Sequence, residues 1–149
     1  MATVNNLPNS LRWGVMQTLL TALQAAPALS GVLVIRNPRS PKSLTQGAHM
    51  VFLKDQRDTL TIKPGQTERR AVQFLLGTVA HTDTADSDAD ALHEAAADVL
   101  RAALPTLTQA CRVVNLSETD TQFEAAGLEI DGALCLSTWA LEYIKPRSH

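Results

Sequence analysis

Arg69-Arg70-Ala71-Val72-Gln73-Phe74-Leu75-Leu76-Gly77-Thr78-Val79-Ala80-His81 reads as a strand, and the chain after it reads as a helix. The run is rich in β-branched and apolar residues and carries no proline. A polar, acidic loop from His81 to Ser87 comes next. Ser87 can cap a helix from Asp88 to Leu104, because its hydroxyl can accept from the free N–H groups of the first turn. Asp88 and Asp90 suit the positive end of the helix dipole, and Arg101 suits the negative end. Leu92, Ala95, Ala96, Val99, Leu100, Ala103 and Leu104 recur at helical spacing as one apolar stripe, while Asp90, His93, Glu94, Ala97, Asp98 and Arg101 fill the polar side. Pro105 lacks an N–H and disfavours helix in Leu104, which sets the end. A helix with one apolar face needs a sheet to cover.

Toward the N-terminus, Asn9 or Ser10 can cap an earlier helix from Leu11 to Ala25. Leu11, Val15, Leu19 and Leu23 lie on one side with Trp13, Met16 and Leu20 near them, so this helix is expected to be largely buried, ending at Pro27. Gly31-Val32-Leu33-Val34-Ile35-Arg36 is a continuous apolar run, read as an interior strand. Pro38 and Pro41 end that strand and open a basic, projecting loop containing Arg39 and Lys42. A hairpin is expected next, His49 to Lys54 and Thr59 to Lys63, turning at Asp55-Gln56-Arg57-Asp58. Pro64-Gly65 then leads into the central strand. On the far side, Cys111 to Leu116 reads as a strand and Ser117 to Glu124 as a polar stretch. The closing strand runs from Ala133 to Ile144. In it Leu134 and Leu136 face one way and Trp139, Leu141 and Tyr143 the other, which asks for a bulge or for cover on different faces at its two ends. The order implies an α+β domain spanning residues 1–149. Its sheet is mainly antiparallel or mixed, two α-helices pack against it, and the ends, about 1–8 and 146–149, are flexible.

The composition narrows the function. Of 149 residues, 45% are hydrophobic, and no run approaches the ~20 apolar residues of a membrane-spanning helix. The first residues lack a signal peptide's basic and apolar regions. Cys111 and Cys135 have no metal-ligand spacing and read as reduced, buried thiols in a chain made in the cytoplasm. The net charge of −2 hides a division. From Arg36 to Arg70, eight cations face three acids, a net of +5; from His81 to Asp131, eleven acids face two cations, a net of −9. A chain basic in one part and acidic in another can complement its own copy head to tail, the arrangement that builds rings and filaments.

Catalytic signals are weak. His81, Asp83, Asp86, Asp88, Asp90 and His93 suggest oxygen ligands for a hard cation, but the cluster lacks the glycine and terminal glutamate of a calcium loop. Acids ahead of a helix more often serve capping and solubility, and His93, on the polar side beside Glu94, reads as a surface residue. No Gly-x-Ser-x-Gly elbow and no glycine-rich phosphate loop occur. Arg36, Arg39, Lys42 and Lys54 could meet phosphate, though only Phe52 interleaves with them. No cofactor is expected.

End to end, the chain resembles the tail terminator proteins of long-tailed bacteriophages, the group that includes minor tail protein U. The resemblance lies in size and element order. A first helix from Leu11 to Ala25 leads to a short strand at Val32 to Arg36. The long strand Ala71 to Ala80 leads through a polar loop to the helix Asp88 to Leu104. The closing strands end in Trp139-Ala140-Leu141-Glu142-Tyr143. The resemblance implies a non-enzymatic structural protein of the virion tail, assembled in the host cytoplasm. Such proteins form a homo-oligomeric ring, a hexamer, that caps the tail tube, ends its polymerisation and joins tail to head. The implied partners are the tube protein and a head-completion or connector protein, with DNA at most passing through the lumen. Candidate subunit or lumen contacts are Arg36, Arg39, Lys42, Arg69 and Arg70. A head–tail connector, a tail tube protein, and a small metal-dependent hydrolase or nuclease stand as alternatives.

Overall fold

The computed structural model describes residues 10–37, 49–62, 67–82, 84–125 and 133–146. Five strands form a single mixed sheet: β1 (Leu33–Arg36), β2 (His49–Ile62), β3 (Thr67–Ala80), β4 (Val113–Ala125) and β5 (Ala133–Pro146), in the order β1-β2-β3-β5-β4. β1 runs parallel to β2, and every other neighbouring pair is antiparallel. Three helices, α1 (Leu11–Ala25), α2 (Ala85–Ala102) and α3 (Leu104–Cys111), pack on one face. A single 3-10 turn, Pro27–Leu29, joins α1 to β1. The α+β reading holds, with one helix more than expected.

α1 has the bounds its sequence implied, and Ser10 caps it by accepting from the Trp13 N–H at 3.1 Å. Only one side is covered: Val15, Met16, Leu19, Leu20 and Leu23 are buried, while Trp13 is 45% exposed. β3 is central, as expected, flanked by β5 along its whole length and by β2 from Arg69 to Ala80. Val72, Phe74 and Leu76 point from it into the main core, where Phe74 stacks with Trp139 at a centroid distance of 6.3 Å.

Several expectations are corrected. β1 is an edge strand, not an interior one, and it is shorter than the run Gly31 to Arg36; Leu33 is half exposed. A parallel pair requires a dozen or so residues of crossover, about the length of chain between Arg36 and His49. The expected hairpin turn at Asp55 to Asp58 is absent, because β2 continues through it as one 14-residue strand. A register shift between Asp55 and Arg57 absorbs the polar residues as a bulge. Leu60 is 42% exposed.

α2 begins two residues before Ser87, with Thr84 at the cap position and no side-chain cap bond. Asp88 instead accepts from the hydroxyls of Thr82 and Thr84. Pro105 does more than end a helix: it sits in the first turn of α3, where a missing N–H costs nothing. Cys111 therefore ends a helix rather than beginning a strand. Arg112 closes α3 in the left-handed region at φ 58°, and β4 then runs through the polar stretch as far as Ala125.

β5 needs no bulge against β3, since their register is unbroken from Ala133 to Pro146. Its two ends are covered on different faces. Cys135, Ser137, Trp139, Leu141 and Tyr143 face the helices, whereas Leu134 and Leu136 join Met50, Phe52, Val79 and Ile35 in a smaller cluster on the opposite face. Lys145 and Pro146 belong to this strand, paired with Glu68 and Thr67.

Candidate functional site

The described basic residues expected at subunit contacts, Arg36, Arg69 and Arg70, do not form one patch. Arg36, at the end of β1, has its side chain nine-tenths covered. Its guanidinium lies over the Trp13 ring, 4.4 Å from the centroid, and is paired with the Asp55 carboxylate. Nη1 of Arg36 is buried and has no hydrogen-bond partner among the described residues. Arg70 faces the helices and donates to Asp58 at 3.0 Å and to Glu68 at 3.1 Å. Arg69 points to the other face and meets Glu142 across the strands at 2.7 Å. Arg39 and Lys42 lie outside the described residues, as does Asp83 of the acidic cluster.

Asp58 is the hub at this end of the sheet. The bulge in β2 turns it toward the helices, where its side chain is only 7% exposed. It accepts from Tyr143 Oη at 2.6 Å, from Arg70 Nε at 3.0 Å and from Arg12 Nη1 at 3.4 Å, tying α1, β3 and β5 to one carboxylate. The hydrogen bond to Asp58 holds Arg70 above its usual range. Burial, reinforced by the same carboxylate, raises the Tyr143 phenol. These charges hold the fold together.

A second polar centre is buried beneath α2. His93 is 4% exposed, not on the surface as its sequence position suggested. Its Nδ1 lies 3.2 Å from Thr78 Oγ1, and its Nε2 lies 2.8 Å from Ser137 Oγ. Thr78 donates its one hydroxyl proton to the Ala89 carbonyl at 3.1 Å, so it must accept from Nδ1–H. Trp139 Nε1 donates to Ser137 Oγ at 2.6 Å, which leaves the serine proton for Nε2. One neutral tautomer satisfies the whole chain of five groups. Burial lowers the His93 pKa and favours that neutral form. Burial likewise pushes the neighbouring Cys135 thiol up to about 11. Two other acids serve locally: Arg101 pairs with Asp98 at 3.0 Å and Glu118 at 3.5 Å while lying over Trp139. Among the described residues, no three of His, Cys, Asp and Glu gather closely enough to hold a metal ion.

An open groove of about 990 Å³ lies between α1 and α3. Gly14, Thr18 and Ala22 form one wall, Thr106, Ala110 and Cys111 the other, and Trp13 stands at the rim. Arg112 and Lys145 close one end. Past Thr18 and Ala22 a shallower depression of about 360 Å³ continues toward Val99 and Ala102 of α2. Sequence reasoning missed this groove because α3 was not anticipated. The signal was present in the alternation of small residues on the outer face of α1, which helical packing does not otherwise require.

No family model matches the chain. No curated protein matches it either. Among solved structures, a chain in the virion of the native gene transfer agent particle has a similar backbone. Its TM-score is 0.52 at 13% identity, covering 93% of this chain and 99% of that one. At that identity the likeness is one of fold.

Proposed function

We propose that this chain is a structural subunit of a phage-like particle, working as a tail terminator. In this reading copies assemble as a ring, expected to hold six, on the end of the tail tube. The ring halts tube growth and presents a surface to a head-completion or connector protein. The observation that carries the reading is the match in fold to a virion chain over nearly the full length of both. The site geometry agrees with a non-enzymatic role. Asp58 and the buried histidine are consumed in holding elements together, and the groove between α1 and α3 is open and lined mostly by small side chains. Of the described basic residues expected at contacts, Arg69 keeps the most exposed side chain, 42%, and we retain it as a subunit or lumen contact. Arg36 and Arg70 are mostly spent on internal pairs.

Deleting the coding sequence from the element that carries it tests this reading. The expected result is tubes of uncontrolled length without heads, corrected when the protein is supplied in trans. Tails of normal length, together with absence of the chain from purified particles, overturn it. Tubes that fail to form at all would make the chain a tube protein, and tails of normal length that stay unjoined would make it a connector.

A further inference from the structure

We propose that the groove between α1 and α3 receives the acidic first turns of α2 from a second copy of this chain. The inference rests on the reading of the chain as a self-assembling particle subunit and names the surfaces that meet. Charge, shape and position all point to it.

The groove is a one-signed site. Among the described residues its only charged lining groups are Arg112 and Lys145, both exposed, and neither takes part in an ion pair there. The matching surface is the start of α2, where Asp86 and Asp90 are exposed and likewise unpaired among the described residues. By contrast Asp55, Asp58, Glu94, Asp98 and Glu142 all have cationic partners within the subunit. Two opposite patches that do not pair within the subunit can meet one another between copies.

Shape agrees with charge. The outer side of α2's first turns carries Asp86, Ser87, Asp90 and Ala91, all small, so the helix can enter a groove walled by glycine, alanine and threonine. Trp13 at the rim offers the large apolar contact on which protein interfaces commonly anchor.

Position decides the symmetry. The groove lies at the end of the sheet where Lys145 pairs with Glu68 and Val113 with Tyr143. The start of α2 lies at the other end, directly after Ala80, where β3 meets Ala133 and His49. Twelve residues of strand separate the two, about 40 Å at about 3.3 Å per residue. Patches at opposite ends of one subunit give a head-to-tail contact that propagates and closes into a ring when the rotation allows.

The test is charge exchange, read by light scattering on a size-exclusion column over a range of concentrations at 0.15 M salt. Arg112→Glu with Lys145→Glu should raise the dissociation constant for self-association at least about tenfold, as should Asp86→Lys with Asp90→Lys. All four substitutions in one chain should restore association, because complementarity returns with its sign reversed. Thermal unfolding of each variant serves as the folding control. Association of the wild type that is unaffected by either pair, or defects that the fourfold variant does not repair, overturn the docking mode and leave the terminator reading to the gene deletion. A wild type that remains a single chain at every concentration, with or without residues 1–9, also overturns it.

Discussion

The ring of Phe52 lies over Gly77 on the face of the sheet away from the helices. The two residues are direct partners across β2 and β3, and a methyl group built on Gly77 would overlap the phenyl ring. Gly77 is in ordinary extended backbone, so what it supplies here is space and not conformational freedom. The glycine costs the strand some propensity, and the aromatic ring covers the gap it leaves.

Gly77→Ala should therefore destabilise the domain by about 1–3 kcal/mol, although alanine suits a strand better than glycine. Phe52→Leu in the same chain should recover part of that loss. A double-mutant cycle by denaturant unfolding measures the coupling. Additive effects would show that the ring moves aside freely.

Stability should fall as pH drops below about 6.5. His93 is held neutral, with its folded pKa below that of the unfolded chain. The unfolded state therefore binds more protons, and the contribution is complete above the unfolded value and lost as pH falls toward the folded one. Of the charged neighbours, Glu118 and Asp90 work against this shift and Arg101 adds to it. Comparing unfolding free energies at pH 7.5 and 5.5 reads the slope, and His93→Asn should flatten it.

Reversing Arg70 to glutamate should unfold or strongly weaken the subunit. It would set a carboxylate beside Asp58 and Glu68 and remove the cation nearest a nearly buried acid. The expected loss is about 3 kcal/mol, the scale for removing one partner of a buried pair. Arg112→Glu, at an exposed position outside the internal pairs, should leave the melting temperature within about a degree or two of wild type.

Leu100→Ala should cost about 2–5 kcal/mol, since Leu100 is fully buried against the sheet. Leu92→Ala should cost less, because Leu92 is half-buried and packs at the edge of the same cluster. Equal losses at the two positions would mean that α2 sits rotated from the face described.

Native Cys135 should react with maleimide far more slowly at pH 8 than it does in the unfolded chain. Its thiol titrates at about 11 and is fully buried. Reaction at equal rates would show local opening of β5.

Local chemistry in the sequence was enough to determine α1, the central place of β3, the existence of α2 and the α+β class. Each of these rests on a period or a cap that neighbouring residues display whatever the rest of the chain does. The tertiary structure decided the rest. Asp55 to Asp58 look like a turn, yet β3 offers a ladder of 12 residue pairs, and a bulge costs less than ending the pairing. Pro105 looks like a terminator, but a proline fits equally well in a first turn, and α3 exists because Leu107 and Cys111 find the core. His93 looks like a surface residue, because its polarity says nothing about Thr78 and Ser137, which lie 15 and 44 residues away and complete its hydrogen bonds. Arg36 and Arg70 looked available for contacts for the same reason, yet both pair within the subunit. Charge along a sequence shows which groups are available, and only the fold decides which of them neutralise one another and which remain for a partner.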